Sequence, residues 1–255
     1  MTLSRILFLR KNSCNPFYAL GHPTMKIVKR ILKILMWIVI AFFATSIGMT
    51  IVYKYCAVPV SPLMVIRLGE QLMDGKSLKL AHRWVPLDSI NSSLPQAVWA
   101  SEDQNFFNHN GFDFKAIEKA VKEKEKKGRL RGASTISQQT AKNVFLWPES
   151  SWTRKAFEAY FTILIETFWS KHRIMEVYLN TIEMGDGIYG AEAVALEHFG
   201  CHAAHLNANQ SALIAASLPN PLKFNSSNPS SYMYKRQSQI LKQMKNVGPF
   251  PQPEK

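Results

Sequence analysis

The sequence predicts a mainly α-helical domain preceded by a single membrane-spanning helix, and three observations carry that expectation. Ile34 to Tyr53 is a run of twenty residues without a charge. From Leu94 onward, apolar residues recur at three- and four-residue spacing in successive segments separated by Gly, Asn, Ser or Pro. A chain of 255 residues that is 47% apolar has material for one well-buried domain, and too little for two large ones once a membrane segment is set aside.

The elements follow in order. Residues 1–33 form a basic, cytoplasmic N-terminus, with Arg5, Arg10, Lys11, Lys26, Lys29, Arg30 and Lys33 and no acid. The first 24 residues match neither a folded domain nor a targeting signal, and the basic flank proper begins at Met25, an alternative translation start. Residues 34–53 form the transmembrane helix, since at about 1.5 Å per residue such a helix crosses the ~30 Å hydrocarbon core. Bases cluster before it and only Lys54 follows closely, so the rest of the chain is expected outside the cytoplasm, in the periplasm, on a single-pass inner-membrane protein. A cleaved signal peptide or a buried core helix are the alternatives; a signal peptide has a shorter apolar stretch and a small-residue cleavage site. Residues 54–84 show little helical period and read as a connector. The domain proper spans 85–255, with helical patterns at 113–127, 135–146, 152–169, 171–179, 190–199, 209–217 and 229–244.

The formal charge of +13 is concentrated at the N-terminus, leaving 24 bases against 18 acids beyond it. That balance suits work beside anionic phosphate, whether lipid head groups, a pyrophosphate or nucleic acid, and does not choose among them. Cys14, Cys56 and Cys201 form neither a CxxC pair nor a disulfide rhythm, so neither a structural disulfide nor a zinc site is expected. The Lys-rich run from Lys119 to Arg131 reads as a solvated helix face and loop, with a phosphate-facing role left open.

Three clusters could carry chemistry. In SEDQNFFNHNGFD, Ser101 to Asp113, Glu102 and Asp103 end a helical pattern beside Phe106, Phe107 and Phe112, surroundings that raise a carboxylate's proton affinity toward that of a general base. The alternative is a solvated pair at a helix end with His109 bracing the turn. In GASTISQQTAKN, Gly132 to Asn143, Ser134 or Thr135 caps a helix. Its N–H groups and hydroxyls could face an anion, with Lys142 about two turns on; the alternative is ordinary capping of a surface helix. In SWTRKAFEAYFTILIETFW, Arg154, Lys155 and Glu158 either line a cleft or form a surface salt bridge. KHRIMEVYLN and GIYGAEAVALEHFG read mostly as scaffold.

Taken together, in order and spacing, EDQNFFNHNGFD, GASTISQQTAKN, RKAFE, KHRIMEVYLN and GIYGAEAVALEHFG resemble the motifs of glycosyltransferase family 51, most closely its monofunctional members. The similarity runs over roughly Pro59 to Met244. Ala133 replaces a frequent second Gly and Ser137 stands where Thr is usual, and neither removes a group the chemistry requires.

The resemblance implies a lysozyme-like domain of two lobes with a cleft. It also implies polymerisation of lipid II into glycan strands, with inversion at the anomeric carbon and release of undecaprenyl pyrophosphate. Glu102 and Glu158 are then the catalytic carboxylates, Glu102 as base. Lys142, Arg154 and Lys155 neutralise the departing phosphates, with or without a divalent cation such as Mg2+ or Mn2+. Asp103, His109, Ser134, Thr135, Gln138, Gln139 and Asn180 are assigned to shaping the site and contacting substrate. No metal ligand is assigned. The expected partners are lipid II, the growing strand and the membrane. With no Ser-x-x-Lys string, a separate transpeptidase is expected to cross-link the product. A wall hydrolase, a non-enzymatic scaffold and, most weakly, a nucleic-acid binder are the competing readings.

Overall fold

The structure, a computed structural model, describes residues 21–127, Gly132 and 134–252. Expectations placed on residues 1–20, including Cys14 and a start at Met1, and on 128–131 and Ala133 lie outside the described residues.

Helix α1, Gly21–Tyr55, extends the predicted apolar helix at both ends. Its Met25–Tyr55 portion is long and apolar enough to cross a membrane. From Met25 to Ala41 every side chain is exposed, the pattern of a helix whose apolar surface meets lipid and which fits a single-pass anchor. The compact domain begins at Thr50, within the last turns of α1. Those turns are fastened from the domain side: the Trp169 indole N–H donates to the Thr50 carbonyl (2.8 Å), and Arg173 Nη2 donates to the carbonyls of Tyr53 (2.7 Å) and Cys56.

The expected connector at 54–84 is instead part of the domain. Ser61 caps α2, Pro62–Met73, with Pro62 in the first turn, where its missing N–H costs nothing. Strand β1, Ala81–His82, then joins a small sheet. The sheet order is β1-β3-β2, where β2 is Glu183–Gly185 and β3 is Ile188–Tyr189; β1 runs parallel to β3, and β2 antiparallel to it. The β2–β3 hairpin turns through Asp186-Gly187. Gly187 has φ +65, and a Cβ there would overlap the Lys79 carbonyl.

The remaining helices fall where the periodicity placed them: α3 Ser93–Glu102, α4 Phe114–Lys127, α5 Ile136–Phe145, α6 Trp152–Phe168, α7 Lys171–Thr181, α8 Ala191–Phe199, α9 Ala208–Ser217 and α10 Ser231–Val247. Side chains of Thr135, Ser151, Ser170, Asn207 and Ser230 each accept an N–H in the first turn of α5, α6, α7, α9 and α10. Leu94, Phe106, Ile136, Ile165, Ile174 and Tyr178 are fully buried, so α3, α5, α6 and α7 share one core with α9 and α10. Helix α5 lies against both α6 and α7, and this central position lets it reach both predicted carboxylates.

Candidate active site

Glu102 is the last residue of α3 and Asp103 is its C-cap, at φ −157 and ψ 78. That break in the backbone sends two adjacent carboxylates to different tasks. Asp103 is buried; its Oδ2 accepts the Ile136 N–H (3.1 Å) at the start of α5 and the His109 Nε2–H (3.0 Å). The Gly111 N–H donates to His109 Nδ1 (3.1 Å), which leaves Nε2 as the protonated end of the ring. Thr135 Oγ1 donates to the Gly111 carbonyl (2.6 Å) and accepts the Gln138 N–H, while Gln138 Oε1 accepts the Thr135 N–H (3.0 Å).

The expected anion site at this helix start is therefore filled by the protein's own Asp103 carboxylate. Asp103, Thr135 and Gln138 are buried, and together with His109 they lock the α3–α4 turn to α5 instead of presenting donors to a substrate. Gly111 makes the close approach workable: its φ is +89, and a Cβ would sit 2.7 Å from Thr162 Cγ2. Ser134 remains exposed.

Glu102, by contrast, is only half-buried. Gln139 Nε2 donates to its Oε2 (3.1 Å), and the Tyr178 hydroxyl donates to Gln139 Oε1 (3.2 Å). Burial pushes the Glu102 carboxyl above the ordinary carboxylate range, against the opposing pull of the Gln139 bond, the Arg236 charge and Ser101. A carboxylate of raised proton affinity, held by one oxygen and reachable by solvent, has the properties a general base needs. The aromatic enclosure expected from its neighbours takes another form, since Phe107 packs with Trp99, His172 and Phe250, and Phe106 lies under the Lys171 ammonium.

Three residues after Gln139 on α5, Lys142 faces a second charge group. Burial lowers its proton affinity, Arg154 and Lys155 lower it further, and Glu158 and Glu183 oppose them. On α6, Glu158 is 3% exposed; its Oε2 accepts from Arg154 Nη1 (2.8 Å) and its Oε1 from Lys155. This cluster is more than the surface pair that i, i+4 spacing allowed. Three cations surround one nearly buried carboxylate, and the Arg154 Nε–H is buried without a partner among the described residues. A net positive site with an orphan donor fits an incoming anion.

Asn180 is fully buried, and its Nδ2 donates to the carbonyls of Val85 and Glu176 while its Oδ1 accepts the Val85 N–H (2.9 Å). This corrects the expectation of substrate contact: the side chain clamps the chain at Val85 to α7.

Sequence reasoning passed over Tyr178, Glu183, Arg67 and Arg236. Glu183 lies on β2 beside Lys142. Burial raises its proton affinity, and Tyr189 O–H (3.3 Å) and Arg67 Nε (3.4 Å) approach its Oε1. Three short strands offer no period to mark it, and Arg236 arrives from α10, far along the chain. A cavity of about 650 Å3 lies elsewhere, lined among others by Asp88, His172, Arg173, Glu176 and Phe250, and holds none of the predicted site residues. Among the described residues, no group of three or more His, Cys, Asp or Glu side chains converges as a metal cage would.

The sequence pattern of the transglycosylase family matches residues 70–245, a stretch that includes every site residue above except Arg67. A biosynthetic peptidoglycan transglycosylase of Bacteroides thetaiotaomicron is 60% identical over 228 residues, covering 89% of this chain and 92% of that protein. Proteins of the same name from Bdellovibrio bacteriovorus (52% identical, covering 80% of this chain and 83% of that protein) and Caulobacter vibrioides (50% identical, covering 85% and 93%) are similar along most of their length.

Proposed function

The chain belongs to the transglycosylase family, and from that premise we propose how its residues join lipid-linked sugars into glycan strands. It is a peptidoglycan glycosyltransferase with a lysozyme-like, mainly helical domain, acting in cell-wall synthesis. The donor is the growing strand on undecaprenyl pyrophosphate, and the acceptor is the 4-hydroxyl of an incoming lipid II.

The observation that carries this assignment is the division of one face of α5 between a raised-affinity carboxylate and a cation cluster. Glu102 accepts the hydroxyl proton as oxygen attacks the anomeric carbon. Pyrophosphate is already a good leaving group, so the opposite side needs positive charge more than a strong acid. Lys142, Arg154 and Lys155 supply it, and the unpartnered Arg154 Nε–H is a donor for a phosphate oxygen. Glu158 holds Arg154 and Lys155 in place. Attack without a covalent intermediate inverts the anomeric centre.

The side chains do not fit a resident Mg2+ or Mn2+, because both Glu158 oxygens are occupied by Arg154 and Lys155. A cation, where one takes part, arrives with the pyrophosphate. On this reading the enzyme sits in the inner membrane with its domain in the periplasm, beside two bilayer-held substrates, a location that the apolar helix and the basic flank before it support. Cross-linking of the peptide stems is a different reaction from the one this site performs, and we assign it to a separate transpeptidase.

The test is polymerisation of purified lipid II by the wild type and by Glu102→Gln, with products resolved on a gel. Polymer from the first and none from the folded variant is expected. Equal polymer from both removes Glu102 as base, and no polymer from either removes the reaction.

A further inference from the structure

We propose that Tyr178 is a positioning residue for the reaction, fixing which end of the Gln139 amide faces Glu102 and so holding the base in its working orientation. The inference rests on Glu102 being the base.

A glutamine amide can present either its oxygen or its NH2 group to a neighbour, because its terminal torsion has two broad, nearly equivalent wells. At Glu102 the two are opposite in effect. The NH2 end donates to the carboxylate, whereas the carbonyl end would set two acceptor oxygens about 3.1 Å apart. What breaks the symmetry lies on the far side of the amide, where the Tyr178 hydroxyl donates to Gln139 Oε1 at 3.2 Å.

The Tyr178 side chain is fully buried in the core beneath α5. Burial, with Glu102 and Asp103 nearby, pushes its phenol well above the ordinary tyrosine range, so it keeps its proton wherever the enzyme works. It is thus a permanent donor. Gln139 Oε1 is committed to it, and Nε2 is committed to Glu102. With Oε2 held in this way, the relay assigns Oε1 to the sugar hydroxyl, with Ser101 as the other polar neighbour on the same helix. The charged and polar groups that face Glu102 are Asp103 on its own helix end, Ser101, Gln139 on α5 and Arg236 on α10. Of these, only the Gln139 contact depends on Tyr178 for its direction.

Tyr178→Phe removes one oxygen and leaves the ring that fills the core. The amide then samples both orientations, Glu102 loses part of a hydrogen bond to its charged form, and its proton affinity rises further. The acid limb of the kcat–pH profile should move to higher pH and kcat near neutrality should fall roughly three- to tenfold, the worth of about one net hydrogen bond. KM for lipid II should hold, and the deficit should shrink as pH rises.

Gln139→Leu removes the contact outright and serves as the second arm. If the two residues act as one relay, Tyr178→Phe adds nothing in the Gln139→Leu background. Losses that multiply in the double variant, or an acid limb that Tyr178→Phe leaves in place, overturn the proposal. Glu102→Gln, run alongside, separates the two levels: an active amide variant means that the base assignment has fallen and takes the relay with it, while a dead one with an unmoved Tyr178→Phe profile fells the relay alone.

Discussion

Glu102→Gln and Glu158→Gln should both abolish polymerisation while moving stability in opposite directions. At Glu158 the starting point is a carboxylate 4% exposed at the side chain, between Arg154 at 11% and Lys155 at 44%. Removing one partner of a buried pair costs about 3–5 kcal/mol because the other charge stays buried. Two effects reduce that here: half-exposed Lys155 turns to water at little cost, and the new amide oxygen keeps a neutral bond to Arg154 worth about 1 kcal/mol. About 2–4 kcal/mol remains, which for a domain of this size lowers Tm by roughly 5–15 °C.

Glu102 has the opposite sign. Its folded proton affinity is raised, so the folded state binds this proton more tightly than the unfolded chain does. The penalty for burying the charge is absent below the ordinary carboxylate range, grows as pH climbs to the raised value and is full above it. The amide removes that penalty, so Glu102→Gln should melt at or above the wild type near pH 7.5 and converge with it at about pH 4. Thermal unfolding of the detergent-solubilised chain at both pH values reads this directly. A Glu158→Gln Tm within about 2 °C of wild type, or a Glu102→Gln variant that is destabilised only near neutral pH, would refute the reasoning.

Lys142 is held below the ordinary lysine value of 10.5 first by burial and then by Arg154 and Lys155, so activity should fall with rising pH before free lysine would titrate. Lys142→Arg, which keeps its charge throughout, should push that alkaline limb upward, and an unmoved limb in a pH–rate series would assign it to another group. Asn180→Ala strips partners from the Val85 N–H and carbonyl. It should cost about 2–4 kcal/mol by denaturant unfolding at about 1–3 kcal/mol for each orphaned group that water does not rescue, while the folded fraction keeps its KM for lipid II. Gly111→Ala must take φ +89 with its Cβ 2.7 Å from Thr162 Cγ2, so it should lower both Tm and activity. Adding Thr162→Ser removes that methyl while keeping the hydroxyl bonded to the Glu158 carbonyl, and should restore part of the Tm; no recovery would mean that strain alone sets the cost.

The helices were legible because the apolar period recurs from α3 to α10 and cap residues mark the starts of α5, α6, α7, α9 and α10, and both signals are local. Helix α2 was passed over although its twelve residues are amphipathic; Val65, Leu72 and Met73 are apolar yet exposed, so its apolar residues do not all mark the side that packs on the domain. Its punctuation was still present, with Ser61-Pro62 at the start and Asp74-Gly75 at the end. The β2–β3 hairpin likewise left an Asp-Gly pair as its trace, although strands of two and three residues are too short for alternation to register.

What sequence could not divide was labour among neighbouring polar groups. Glu102 and Asp103 are adjacent and chemically alike, yet one is the last residue of a helix and the other has left it. That single change of backbone direction gives Asp103 two protein donors and a buried, structural task, and leaves Glu102 half-open, bonded to Gln139 and facing Ser101. The same logic removes Asn180, Thr135 and Gln138 from the substrate and brings in Tyr178, whose place in an apolar α7 pattern hid its hydroxyl from a reading by period. A polar residue's function here follows from whether the fold has already satisfied its hydrogen bonds. Among the described residues Arg67 Nε and Gln243 Oε1 are also left without a hydrogen-bond partner, but Glu102 on one side and the Arg154 Nε–H on the other are the incompletely satisfied groups that belong to the two halves of the site.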